Sequence, residues 1–107
     1  MKENYIKYIA EKLSERDLLE QLAEEASELS QAALKLIRAS RINANYTNLT
    51  IGEAKSNLIE EFYDVFNVWL VLVTKDVAMR HGADEYLADG FGNKKQKRWA
   101  ERLGYKE

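Results

Sequence analysis

Apolar residues recur along this chain at steps of three and four, and no stretch alternates apolar with polar as a half-buried strand would. The pattern predicts an all-α fold. A short first helix is expected over 3–12. Ser14, with Asp17 three residues on, marks the start of a second helix that runs to about residue 40. Its inward stripe reads as Leu18, Leu22, Ala26, Leu29, Ala33 and Leu36. Residues 41–49 hold three asparagines and no apolar period, and read as a loop. Thr50 and Glu53 then form a second capping box, opening a third helix expected to reach about Arg80, with Gly82 in the left-handed turn behind it. Its centre, 62–73, is apolar on nearly every side, the signature of a helix covered by neighbours all round. The stretch 83–92 suggests one helical turn ended by Gly90 and Gly92. Asn93 is then placed to cap a last helix over 94–103, with Gly104 after it. Short links between long helices favour an antiparallel helical bundle.

The bulk numbers narrow the setting. A length of 107 residues fits a single domain, 1–107, with a modest core that oligomerisation would complete. A formal net charge of −2 argues against a general nucleic-acid binder. With no cysteine there is no disulfide scaffold, thiolate metal site or cysteine nucleophile. The first ten residues carry Lys2, Glu3 and Lys7 and do not read as a signal peptide, and Asp64 and Asn67 interrupt the longest apolar run. The expectation is a cytoplasmic protein without a membrane partner.

The carboxylates disturb this plain picture. Glu24, Glu25 and Glu28 lie on the second helix, and Glu60, Glu61 and Asp64 on the third. Residues three apart share a helix face, so Glu25 pairs with Glu28 and Glu61 with Asp64, and like charges at that spacing repel. A solvated acidic face would explain the first cluster. It explains Asp64 less well, because Phe62, Tyr63, Val65, Phe66, Val68, Trp69 and Leu70 surround it. A carboxylate shielded from water needs a cation, a metal or a proton. Two acidic pairs facing each other would make an oxygen-rich site suited to Mg²⁺ or Mn²⁺. A ferritin-like di-iron site needs Glu-x-x-His on two helices. Here Gln31 follows Glu28 and Asn67 follows Asp64, and the one histidine, His81, reads as a helix-end surface residue.

The run Glu24-Glu25-Ala26-Ser27-Glu28-Leu29, followed by Glu60-Glu61-Phe62-Tyr63-Asp64-Val65, resembles the E-E-x-x-E … E-x-x-D signature of MazG-like nucleoside triphosphate pyrophosphohydrolases, of the all-α NTP pyrophosphatase superfamily. The flanks Leu22-Ala23 and Gln31-Ala32-Ala33-Leu34-Lys35 agree, and 94–103 is similar to the family's basic C-terminal helix. A longer loop between the motifs is the main departure. The resemblance implies an Mg²⁺-dependent hydrolase, with Mn²⁺ able to substitute, that cleaves a nucleoside or deoxynucleoside triphosphate to the monophosphate and pyrophosphate in nucleotide-pool housecleaning. It implies Glu25, Glu28, Glu61 and Asp64 as metal ligands. Glu24, Glu25 and Glu61 become the candidate catalytic carboxylates, with Glu24 and Glu60 auxiliary: a water-orienting base, a second-metal ligand, or merely surface. It also implies homodimers or homotetramers.

The substrate's phosphates call for cations, and Lys94, Arg98 and Arg102 recur four apart on the last helix. Trp69 and Trp99 are candidate stacking partners for a base, although aromatics at helical spacing are more often core. Asn67 shares a face with Asp64 and Glu60, and as a buried amide it would need partners among phosphate, sugar or neighbouring helix. Two other readings use the same residues: a non-catalytic nucleotide-binding or regulatory module, and a helical partner-binding protein.

Overall fold

Two reciprocal caps open the two long helices. In the computed structural model, which describes residues 4–40 and 49–107, the Ser14 hydroxyl accepts from the Asp17 N–H at 3.0 Å while the Asp17 carboxylate accepts from the Ser14 N–H at 3.4 Å. Thr50 and Glu53 repeat the exchange at 3.1 Å in both directions. Each pair satisfies two backbone donors that the first helical turn leaves free. Five helices follow in order among the described residues: α1 (Tyr5–Lys12), α2 (Glu15–Ala39), α3 (Ile51–Lys75), α4 (Val77–Ala88) and α5 (Asn93–Arg102). There is no strand among them. None is long and apolar enough to cross a membrane. The loop expected over 41–49 lies, except for Leu49, outside the described residues.

The described chain forms two compact units, one ending at Lys75 and the other beginning at Asp76. In the first, α3 packs along α2 and also against α1. The α2–α3 pair is antiparallel: Leu18, early in α2, meets Val71 and Leu72, late in α3, and Ala32 and Ala54 line one groove at the opposite end. Leu18 and Leu72 are the largest fully buried side chains, and Ile6, Ile9 and Ala10 of α1 close over them. The Lys75 ammonium donates to the Ala10 carbonyl at 2.9 Å, fastening the end of α3 to α1.

The third helix stops five residues earlier than its apolar period suggests. Asp76 leaves helical geometry (φ −105°, ψ 109°), and its carboxylate accepts from the Met79 N–H at 3.0 Å, capping α4. Just upstream, the Thr74 hydroxyl bonds back to the Leu70 carbonyl at 2.8 Å, a contact that slightly destabilises and bends a helix. Gly82 therefore lies inside α4 rather than in a turn. The single expected turn over 83–92 is the second half of that twelve-residue helix.

In the second unit, Gly90, Phe91 and Gly92 take φ of 60°, 63° and 92° in succession. The φ of Gly92 is one that L side chains rarely adopt, and a Cβ there would also press on the Tyr86 ring at 3.2 Å, so the backbone favours glycine. This places Gly92, not Asn93, at the cap of α5, and no side chain of the cap residue serves it. Asp89 takes that role from upstream, accepting from the Lys94 N–H at 3.2 Å. Gly104 ends α5 with φ 103°, as the sequence suggests.

Candidate metal centre

The protected positions of α2 include Leu18, Leu22, Glu25, Leu29, Ala32, Leu36 and Ala39, a run of steps alternating four and three. Those of α3 include Ala54, Leu58, Glu61, Val65, Val68 and Leu72 in the same rhythm. This is the spacing by which two long helices bury a shared seam. Each stripe carries one glutamate where an apolar residue would sit. Ala26 and Ala33, expected inward, are exposed; the stripe passes through their neighbours Glu25 and Ala32.

Because the helices run antiparallel, the two seam glutamates meet. One carboxylate oxygen from each of Glu25, Glu28 and Glu61 lies within 4.8 Å of the others. Glu25 and Glu61 are half-buried and Glu28 is exposed, so the group opens to solvent on one side. The Gln21 carboxamide donates to Glu25 Oε1 at 2.7 Å and so orients that carboxylate. Glu25 Oε2 and Glu61 Oε2 are buried and receive no hydrogen bond. No ion pair among the described residues reaches any of the three. An acceptor hidden from water without a donor is costly, and this group of residues holds two.

The electrostatics agree. The Glu61 carboxyl is pushed above its ordinary value of 4.5, first by loss of solvent, then by the charges of Glu28 and Asp64, a hydrogen bond with Glu28, and the charge of Glu25. Above pH 4.5, and up to that raised value, the folded chain keeps a proton that the unfolded chain has lost. Stability in chelator should therefore fall as pH rises through this window and level off above it. Glu53, held low by hydrogen bonds from Thr50, acts with opposite sign and below 4.5, so the two do not overlap. Melting temperature followed upward from pH 4.5 reads the effect. Glu61→Gln should flatten this part of the profile, and an unchanged slope in that variant would remove Glu61 as its source.

The remaining sequence candidates fall in several places. Asp64 is half-buried one turn beyond Glu61, outside the three-oxygen group but close enough for its charge to act on Glu61. Glu24 and Glu60 are exposed beside the group, and Glu24 shares a helix side with Glu28 four residues on. Asn67 is exposed, so it carries no need for buried partners, while Trp69 is half-buried on α3. Lys94, Arg98, Arg102 and Trp99 are exposed on α5, in the second unit. There Lys94 and Arg98 line a pocket of about 460 Å³ with Glu85, Tyr86, Asp89 and Lys95, and the Lys95 ammonium stands 5.5 Å from the centre of the Tyr86 ring. His81 is exposed within α4.

One feature of the first unit was not legible from spacing alone. A groove of about 390 Å³ runs from Glu28 and Glu61 toward the start of α3, lined further by Gln31, Ala32, Lys35, Leu49, Ala54 and Asn57. Its signal exists only once Ala32 and Ala54 are known to face each other. No family model, curated protein or solved structure matches this chain.

Proposed function

We propose that this chain is a metal-dependent nucleoside triphosphate pyrophosphohydrolase, releasing a monophosphate and pyrophosphate. The observation that carries the proposal is the pair of buried, donorless oxygens on Glu25 and Glu61, gathered with Glu28 into an all-carboxylate group. Such a donor set fits a hard divalent ion, Mg²⁺ first and Mn²⁺ as a substitute. The reaction type comes from the E-E-x-x-E … E-x-x-D resemblance, whose ligand positions are Glu25, Glu28, Glu61 and Asp64.

In this reading Glu25, Glu28 and Glu61 hold the ion, and Asp64 adds negative charge beside them. When bound, the ion supplies charge neutralisation for the phosphates and eases ionisation of the attacking water. The chain's own residues do the rest. Gln21 fixes the rotamer of Glu25, so the group does not have to be reorganised for each turnover. Glu24, exposed beside the group, is the candidate proton acceptor for the attacking water. The seam leucines on either side keep both helices in register.

The outer face of α3 supports assembly with a second copy, as a dimer or a pair of dimers. Phe62, Tyr63 and Phe66 remain 48%, 54% and 40% exposed, where the apolar run suggested cover on all sides. They form one aromatic cluster, with the Phe62 and Phe66 rings stacked at 6.2 Å and Tyr63 edge-on to both. The same face is what a helical partner-binding protein would present.

Product analysis tests the enzyme reading. Incubation with a panel of nucleoside triphosphates and Mg²⁺ should yield monophosphate and pyrophosphate, and chelator should stop it. Diphosphate with inorganic phosphate would refute the cleavage site. No product together with a metal-dependent rise in melting temperature on adding nucleotide would favour a binding module instead.

A further inference from the structure

We propose that the groove beside the carboxylate group is a base-reading subsite, in which Lys35 selects nucleobases that carry a carbonyl where their counterparts carry an amino group. This rests on the nucleotide reading given above, but it concerns different residues and a different part of the ligand.

The groove exists because of two alanines. Ala32 and Ala54 are 5% and 1% exposed and occupy seam positions that hold leucines elsewhere along the same helices. Small side chains on both partners leave a hollow where larger ones would interlock. At about 390 Å³ it falls within the range of small-molecule sites. One end is bounded by Glu28 and Glu61. Beyond them stand the carboxamides of Gln31 on α2 and Asn57 on α3, and then the ammonium of Lys35. Glu28 and Lys35 are seven residues apart on α2, about 10 Å along the axis at 1.5 Å per residue, enough to place a nucleoside between them.

The lining indicates which part of a nucleotide belongs there. A polyphosphate calls for clustered cations. Beyond Glu28 and Glu61, the described lining of this groove offers one ammonium, two neutral carboxamides and an alanine floor, which suit an uncharged heterocycle. No aromatic residue lines it among the described residues, and Gln31, Asn57 and Lys35 would read the ring at its edge. Each carboxamide both donates and accepts, and can satisfy the edge of any base. Lys35 only donates. Facing a carbonyl it gains a charge-assisted hydrogen bond; facing an amino group it meets another donor and remains unpaired. The preference of lysine for the carbonyl and ring nitrogen of guanine in nucleic-acid recognition follows the same logic. No carboxylate among the described residues pairs with Lys35, so its ammonium is free for the task.

Inosine and adenosine differ at this edge by exchange of the 6-carbonyl for an amino group and of the N1 hydrogen for a lone pair, and neither carries phosphate. Each would be titrated in chelator against ¹⁵N-labelled protein, with the side-chain amide signals of Gln31 and Asn57 assigned from Gln31→Glu and Asn57→Asp. Both signals should move with inosine at concentrations about tenfold or more below those needed for adenosine, in line with the discrimination one good edge contact provides. Lys35→Met should erase the difference while leaving the rest of the spectrum in place. Failure of the signals to move, equal response to both nucleosides, or a preference unaltered in Lys35→Met would each overturn the proposal. Because no metal or turnover is involved, inosine-selective shifts in a chain that hydrolyses no triphosphate would leave the subsite standing and remove the hydrolase. Turnover with equal kcat/KM for inosine and adenosine triphosphates, without shifts, would do the reverse.

Discussion

Replacing Glu61 by glutamine should remove turnover while making the metal-free protein harder to melt. The two effects have one cause. Glu61 sits in the seam of α3, half-buried, facing Glu25 and Glu28 of α2, with one buried oxygen that no donor reaches. Without a cation the three carboxylates repel, and Glu61 relieves part of the strain by holding its proton more tightly. A carboxamide has the same shape, no charge, and a donor to offer Glu28. In chelator the variant should therefore melt at or above the temperature of the parent chain, with its helical spectrum unchanged. As a ligand it fails, because hard divalent ions need the charged oxygen. Loss of an outer-shell partner commonly costs about 10- to 100-fold in affinity or activity, so loss of a ligand should exceed a hundredfold in both. Mn²⁺ titration followed by electron paramagnetic resonance reads affinity directly, and product formation reads turnover. A variant that keeps full activity would sink the site. One that loses helical signal in chelator would make Glu61 a structural residue. Glu24→Gln provides the contrast: it should keep Mn²⁺ affinity and lose only part of the rate.

The helix starts were legible because capping is local. Ser14 with Asp17 and Thr50 with Glu53 are three residues apart, and nothing distant competes for those hydrogen bonds. The end of α3 was not, although its signal was equally local. Asp76 is a good N-cap residue, but apolar residues continue at helical spacing on both sides of it, and no glycine or proline marks the break. The cap of α5 was misplaced by one residue for a related reason. Asn93 is a favoured cap in isolation, yet the left-handed run through Gly92 brings Asp89 to the Lys94 N–H first.

The site shows a different limit. Types and spacing drew attention to Glu25, Glu28 and Glu61, and the antiparallel packing of α2 on α3 brings these three together. The inward stripe, however, was read through Ala26 and Ala33, since hydrophobicity alone prefers alanine to glutamate. Leu18, Leu22, Leu29 and Leu36 belong to both stripes; replacing Ala26 and Ala33 by their neighbours Glu25 and Ala32, each about 100° around the helix, shifts the stripe's centre and carries Glu25 into the seam. A residue that breaks the pattern of its own stripe is a place where stability gives way to another demand. Asn67 was misjudged in the opposite sense: the apolar run around it belongs to more than one face of α3, and its own face is open. Gln31, Lys35 and Asn57 become neighbours only through the pairing of two helices in one register, which no periodicity within a single helix contains.

That open face leads to the second large effect. On the proposed assembly, changing both Phe62 and Phe66 to serine should give a monomer that stays folded. Both rings lie outside the Leu18–Leu72 core, so the helices of one copy lose little. A symmetric pair of chains would bury four such rings. Phe62 and Phe66 have 48% and 40% of their surface left to cover, so each contributes about half of the ~1.5 kcal/mol low end for full burial, and the loss is about 3 kcal/mol, or roughly two orders of magnitude in Kd. Sedimentation equilibrium at micromolar concentration should show a multiple of 12.4 kDa for the parent chain and a single copy for the double variant. A parent chain that is already monomeric, or a variant of unchanged mass, would remove this face from the assembly. The monomer then separates two roles of α3 that share one helix. Glu25, Glu28 and Glu61 all come from one chain, so Mn²⁺ affinity should survive dissociation nearly intact. If affinity falls along with the mass, the seam that holds the carboxylates in register depends on the second copy, and the aromatic face is part of the site's support.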